Sequence, residues 1–395
     1  MPVTVSNTAR FDIVVVVLAL LTAFGPLSID MYLPAFGAIA ESYNTPTNRV
    51  ELSLTSFFLG LFIGQLLYGT ASDRFGRKPP LYFGLALYIV TSLACAYAPN
   101  LESLIVLRFL QAIGSCAGMV IARAMVRDLY TPQASAQVFS FLILVMGIAP
   151  ILAPLMGAYV TAAFGWQAIF IIVAALAVAC LAIVHIRLPE TRLPNQAVRI
   201  RSSLPIYWGV LRDRSFLRYS LSGGIAQSGM FAYITASPLV FIEHFGLSPT
   251  HYSWLFGLNA VGIIGLSQLN AWLLRRHDSR KILNKSLPVL GLIALVLFIA
   301  GHYNWGFWGV IIPLFMYIST LGMVFPNAMA GALAEQQERA GSASAVTGSL
   351  QFLIAGIISA LVNVLGHYDP LAMLYMMGAC GLTAVVMYRV LRRPA

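Results

Sequence analysis

The chain is short of charge. Of its 395 residues only 10% are charged, 14 of them acidic, while 59% are hydrophobic. A water-soluble domain carries about 25% charged residues, so this composition could not cover a water-facing surface. Lipid has to be the solvent for much of the chain. Cysteine is also scarce. Cys95, Cys116, Cys180 and Cys380 all fall in apolar runs and show no CxxC spacing. They read as small packing residues, not as a disulfide framework or a metal site. The 6 histidines form no HExxH pair. No GxSxG nucleophile motif occurs, and no glycine-rich phosphate loop ends in Lys-Ser/Thr. These absences argue against an enzyme and against ATP as the direct energy source. No cofactor and no metal are expected.

The formal net charge of +10 could suggest nucleic acid. The basic residues instead lie between apolar runs, which is what the positive-inside rule produces; no nucleic-acid partner is expected. A membrane helix needs about 20 apolar residues, and about twelve runs meet that criterion. They lie near 12–35, 50–71, 80–98, 102–124, 137–160, 167–187, 216–240, 252–274, 284–301, 306–330, 342–365 and 371–390. The runs are continuous and lack a period of two, so they are helices rather than barrel strands. The first is too long for a signal-peptide core and is expected to stay as a span.

Lysine and arginine orient the chain. The N-terminus and alternate loops collect Arg10; Arg74, Arg77, Lys78; Arg123, Arg127; Arg187, Arg192, Arg199, Arg201, Arg212, Arg214, Arg218; Arg275, Arg276, Arg280, Lys281, Lys285; Arg339; and Arg389, Arg392, Arg393. The opposite side holds only Arg49. This split puts both termini in the cytoplasm and requires an even number of spans. The longest loop, "RLPETRLPNQAVRIRSSLPIYWGVLRDRS", carries three prolines and lies mid-chain. It reads as a linker, with "IYWGVLRD" as a short interfacial helix. The expected division is an N-terminal six-helix half (1–187), a cytoplasmic linker (188–215) and a C-terminal six-helix half (216–395). Two halves joined in this way resemble the major-facilitator transporters. The internal repeat is faint: "DRFGRK" after span two meets only "RRHDSRK" after span eight.

The strongest local signal is "GTASDRFGRKPP", residues 69–80, in the loop after span two. It resembles the major-facilitator signature G-x-x-x-D-R-x-G-R-K through Gly69, Asp73, Arg74, Gly76, Arg77 and Lys78. Gly69 would let helices approach, and Gly76 would permit a turn that other residues resist. Asp73 can face a helix N-terminus, and Arg77 needs a carboxylate, for which Asp128 is the candidate. A solvated positive-inside turn is the plainer reading. The six matched positions point instead to a conformational latch. In "LIVLRFLQAIGSCAG", Arg108 is a permanent cation inside a span, and such charges face a partner or cavity by default. Gln111 lies one turn away on the same face. With Gly114 it completes the R-x-x-Q-x-x-G pattern of the fourth span. "VMGIAPILAPLMGAYV" in span five resembles, in part, the antiporter motif G-x-x-x-G-P-x-x-G-G. Gly147, Pro150 and Gly157 match and Pro154 is added, while Ala149 and Ala158 replace glycines. Such residues let a helix bend and pack closely.

In the first span, "PLSIDMYLPA" closely resembles the Bcr/CflA drug-resistance transporters. Further matches are "FGRKP", "RDLY", "APILAPLMGAYV", "SPLVFIE", "NAMA" and "AGSASAVTGS", so the likeness covers both halves. It implies an all-α membrane protein of twelve transmembrane helices in two pseudo-symmetric halves. It also implies proton-driven efflux of small drugs, such as bicyclomycin, sulphonamides or chloramphenicol-type compounds, from a bacterial inner membrane. The energy would come from the proton gradient. The partners would be drug, protons and lipid, with the chain a monomer. The competing reading is proton-coupled transport of one endogenous metabolite.

Asp30 then becomes the candidate proton carrier. At the standard helical rise it lies roughly 10–14 Å below the outer end of span one, and Arg108 roughly 10 Å below the same face. Burial favours a neutral carboxyl and a nearby guanidinium favours a charged one, so the pair could load and release a proton. A carboxylate close to water without a partner is the plainer alternative. Two turns earlier stands Thr22, not the second acid that related multidrug antiporters carry, which speaks for neutral or weakly basic substrates. The remaining candidates for a substrate cavity are Gln111, Tyr233, Asn259, Tyr317 and Asn327, with Met230 and Phe231 as apolar walls.

Overall fold

The computed structural model describes residues 13–192, 200–334, 336, 340–366, 369 and 371–391. Arg10, Arg199, Arg339, Arg392 and Arg393, counted above for orientation, lie outside them, as does 193–199 of the expected linker. Among the described residues the chain is helical, without a strand. The order is α1 (Ile13–Asp30), a 3-10 turn (Leu33–Ala35), α2 (Phe36–Ser42), α3 (Thr47–Phe75), α4 (Lys78–Ala96), α5 (Leu101–Leu129), α6 (Pro132–Phe164) and α7 (Gln167–Arg187). Then come α8 (Ile200–Leu211), α9 (Arg214–Pro238), a π-helical turn (Leu239–His244), α10 (Pro249–Leu273), α11 (Ser279–His302), α12 (Gly306–Leu333), α13 (Ala340–Gly366) and α14 (Ala372–Val390).

Helices dominate because hydrocarbon offers a backbone no hydrogen bonds, so each segment has to satisfy its own. Among the described residues, 11 helices are long and apolar enough to cross a membrane. The expected span at 252–274 is present as α10, with 25 residues, but is not one of the 11. Its length suffices; Asn259, Gln268 and Asn270 hold its hydropathy down. Outward faces carry large apolar side chains such as Phe83, Ile143, Tyr159 and Leu292, each more than 60% exposed. In water that would be a liability, whereas against lipid it is the solvent match.

The helices form two compact units. One takes the described residues up to Tyr43 and Ser56–Leu204; the other takes Asn44–Thr55 and everything from Pro205 on. In the first, α1 packs on α5, α6 and α7, and α4 on α5 and α7. In the second, α9 packs on α12, α13 and α14, α11 on α12 and α14, and α10 on α12. The expected division kept 1–187 whole. Residues 44–55 nevertheless group with the second unit, through polar contacts from Glu51 and Thr55 to α13. The expected interfacial helix is the C-terminal part of α8, where Trp208 is exposed beneath the Arg212 guanidinium.

Candidate functional site

The geometry around Asp30 follows from two prolines. Pro26 sits inside α1, where it leaves the Thr22 carbonyl without its i+4 donor. Pro34 lies four residues after Asp30 and denies that residue's carbonyl a helical bond, and α1 ends at Asp30. The tightening is visible in the bonds. Met31 N still donates to Leu27 O at 3.2 Å, but Tyr32 N donates to Ile29 O, also at 3.2 Å. The Ser28 carbonyl thereby loses its helical donor. Arg108 Nη2 donates to it instead, at 2.9 Å.

Arg108 is thus built into the break. It is fully buried, and its Nη1 donates to Gln111 Oε1 at 2.6 Å. Gln111 Nε2 donates in turn to Ser92 Oγ at 2.7 Å. The rings of Phe57, Tyr32 and Phe170 lie 4.3, 4.4 and 5.7 Å from the guanidinium carbon. A cation taken from water is stabilised by such faces and by charge-assisted hydrogen bonds. Ser28 Oγ lies 2.6 Å from Tyr88 OH, which ties α1 to α4. Gly114, the third residue of the fourth-span pattern, faces the Tyr88 backbone, where a Cβ would come within 2.6 Å of its nitrogen.

Asp30 is the opposite case. It is 3% exposed, and among the described residues no cation and no hydrogen-bond donor reaches its carboxylate. The expected Asp30–Arg108 ion pair is therefore not formed. The reason is the broken helix: the orphaned Ser28 carbonyl and Gln111 claim the guanidinium first. Gln111, expected on a cavity wall, is fully buried as the link from Arg108 to Ser92.

Helix α6 comes to the same place. A Cβ on Gly157 would collide with the Met31 carbonyl, next to Asp30, so only glycine allows this approach. Pro150 and Pro154 lie inside α6, which continues through both for 33 residues. Gly147 and Pro150 are half-buried and Pro154 is buried.

At the other end of the same unit lies the 69–78 segment, expected as a loop; 69–75 are instead the last turns of α3, and only Gly76 and Arg77 separate α3 from α4. Gly76 has φ +87, a left-handed conformation that suits glycine. Arg77 is 4% exposed and donates from Nε to Asp128 Oδ2 at 2.8 Å and from Nη1 to Asp73 Oδ1 at 2.9 Å. Burial opposes the Arg77 charge, but Asp128 and Asp73 outweigh it, and its pKa ends above the usual arginine value. Asp73 does not face a helix N-terminus as expected; it accepts from Arg77 and from Arg192 Nη1 at 2.9 Å. Glu190 takes that place. Its carboxylate accepts from Arg77 N at 2.8 Å and Lys78 N at 2.9 Å, where α4 begins. Thr191 Oγ1 donates to Asp128 Oδ2 at 3.0 Å. Arg74 lies over the Phe75 ring and Lys78 over Tyr82, while Gly69 O accepts from Ser72 Oγ. Sequence reasoning missed Glu190, Thr191 and Arg192 because they stand more than 100 residues away in a segment read only as linker.

In the second unit, the expected cavity residues make contacts among themselves and with neighbouring helices, while Asn259 Oδ1 and Asn327 Oδ1 are buried without a hydrogen-bond partner among the described residues. Asn259 Nδ2 donates to Tyr233 OH at 3.0 Å, and the Tyr233 ring stacks on Phe256. Tyr317 OH donates to Ala226 O at 3.0 Å, so Tyr317 closes a helix contact and does not line a wall. Asn327 Nδ2 donates to Asn270 Oδ1 at 2.6 Å. Phe231 meets the Phe352 ring, and half-buried Met230 accepts from Gln227 at its sulfur. A small cavity in this unit is lined by Tyr219, Ser220, Phe325, Thr347 and Gln351 among others, and by none of these candidates. Asn270 was not read from the sequence; a lone amide in an apolar run gives no sign of its partner.

The family model described as Major Facilitator Superfamily matches residues 18–360. An uncharacterised MFS-type transporter of Bacillus subtilis, YdgK, is 35% identical over 88% of this chain and 87% of its own length. A bicyclomycin resistance protein homolog of Haemophilus influenzae is 30% identical over 95% of both chains. Among solved structures, a D-xylose–proton symporter superposes with a TM-score of 0.71 at 14% identity, covering 95% of this chain and 96% of that one. That likeness shows the fold alone.

Proposed function

The chain belongs to the major facilitator superfamily, among its drug-resistance transporters, and from that premise we propose that it exchanges protons for small drugs across the bacterial inner membrane. The observation that carries this reading is the buried, unpartnered carboxylate of Asp30. An isolated ionised carboxylate is costly in an apolar interior and takes up a proton instead. Intramembrane acids are working groups by default. Asp30 sits where α1 has already stopped and where Gly157 lets α6 touch the next residue. A proton gained or lost there falls at a joint between two helices.

In this reading Asp30 binds the proton from the outer side and gives it up to the cytoplasm. A polar or weakly basic drug competes for the emptied carboxylate. Arg108 acts as a positioning residue. It holds the Ser28 carbonyl and so sets how α1 presents Asp30. The 69–78 segment with Asp128 and Glu190 acts as the latch at the far end of the unit. Both termini lie in the cytoplasm, as the arginine and lysine distribution requires, and the chain works as a monomer driven by the proton gradient. The drug class rests on the resistance named for the Haemophilus relative.

The test is expression of the full chain in an efflux-deficient bacterium, challenged with bicyclomycin, chloramphenicol and a sulphonamide with and without a proton uncoupler. Resistance that the uncoupler abolishes supports the reading. Uncoupler-insensitive resistance removes the proton, and no resistance to any compound favours a single endogenous metabolite.

A further inference from the structure

A second carboxylate is buried as completely as Asp30. Glu51, in the part of α3 that belongs to the second unit, is 0% exposed. Its Oε2 accepts from Asn363 Nδ2 at 3.4 Å, and its Oε1 has no hydrogen-bond partner. The same amide also donates to the Asn48 carbonyl. One turn on, Thr55 Oγ1 lies 2.6 Å from Ser359 Oγ, which lies 2.9 Å from Thr235 Oγ1 of α9. Two i,i+4 pairs therefore face each other, Glu51 and Thr55 on α3, Ser359 and Asn363 on α13. Among the described residues, everything else in this patch is neutral. Arg49 and Glu243 are the charged groups nearby, and both are exposed. Glu243, on the π-helical turn, is a further negative charge acting on Glu51.

Glutamate is almost never fully buried unless it is paired. One long amide bond does not compensate a charge, and a negative neighbour adds to the cost. The carboxyl must hold a proton while residues 44–55 are packed on α13. We propose that Glu51 is a second proton-binding site of this transporter, loaded as residues 44–55 pack against α13 and emptied when that packing opens to water. Residues 44–55 follow the outer end of the first span, so the proton is taken from the outer water on packing and returned to it on opening; none is carried across, and opening becomes harder as the outer pH falls. This rests on the proton-exchange reading above, in which Asp30 carries the exchanged proton, and it makes Glu51 the group that links opening to the outer pH.

Infrared difference spectra of the full chain in detergent, titrated with pH, count protonated carboxyls directly. Glu51→Gln and Asp30→Asn should each remove a different C=O band. Chloramphenicol exchange in proteoliposomes is then followed against outer pH: wild type should slow as the outer pH falls through the titration of the Glu51 band, and Glu51→Gln should lose that dependence while transport persists. A Glu51→Gln spectrum that superimposes on wild type overturns the proposal. So does a lost band with an unchanged pH dependence of exchange, since the Glu51 proton is then not linked to opening. If Glu51→Gln removes its band while no variant, nor wild type, couples protons to chloramphenicol, the titrating site stands and the exchange reading fails.

Discussion

The first unit holds two arginine–aspartate settings and treats them oppositely. In the 69–78 segment the buried cation is matched: Arg77 meets Asp128 and Asp73, and Arg192 meets Asp73, while Arg74 and Lys78 lie over rings. In the membrane layer Arg108 meets a carbonyl, an amide and three rings, with its Nε left without a hydrogen-bond acceptor, and Asp30 meets nothing among the described residues. A matched set stabilises one arrangement and has little reason to exchange protons. An unmatched carboxylate is poised to take one up. The difference separates a fastening from a working group better than residue type does.

Breaking the unmatched side should have the largest effect. Asp30→Asn removes the buried carboxylate and should reduce uncoupler-sensitive resistance to that of cells without the protein, at unchanged membrane level. Next, Gly157→Leu forces a side chain onto the Met31 carbonyl. Overpacking of this kind costs about 1–3 kcal/mol, so a lower melting temperature and lost transport should appear together. Arg108→Ala strands Gln111 and the Ser28 carbonyl; unsatisfied buried groups cost about 1–3 kcal/mol each. Arg108→Lys should rescue little, because a point charge cannot reach both acceptors as the planar fork does. Both are read by thermal unfolding in detergent.

On the matched side the effects should be smaller. Glu190→Gln weakens the cap on α4, and losing a helix cap costs about 0.5–2 kcal/mol. Asp128→Asn removes one of two carboxylates from Arg77 and should cost about 0.2–1 kcal/mol, since that end is partly solvated. Stability measured for each, and for the pair, shows whether the cluster works as one unit. A coupling energy near zero would mean that the linker segment and the 69–78 segment are independent.

Much of this was legible in the sequence. Length and hydropathy of the runs located all twelve long helices, the 11 apolar enough to cross a membrane and α10 besides, because a bilayer imposes one length on every helix. The twelfth, α10, is a helix whose asparagines serve contacts inside its own unit. Asp30, Arg108 and the Arg77–Asp128 pair could be named because a charge in or beside an apolar run stands out. What could not be read is which group a given donor prefers. Equal depth suggested that Arg108 would face Asp30, yet Pro34 and the switched Tyr32 bond free the Ser28 carbonyl, and that claim comes first. Glu190 and Glu51 escaped notice for a similar reason: their meaning depends on partners more than 100 residues away.

The central claim is that Asp30 couples the proton to the drug. It is tested most directly in proteoliposomes holding the full chain, with an imposed pH gradient and labelled chloramphenicol. Wild type should accumulate drug against its gradient. Asp30→Asn should still exchange labelled for unlabelled drug at equilibrium but accumulate none. Accumulation by Asp30→Asn at the wild-type rate would contradict the account.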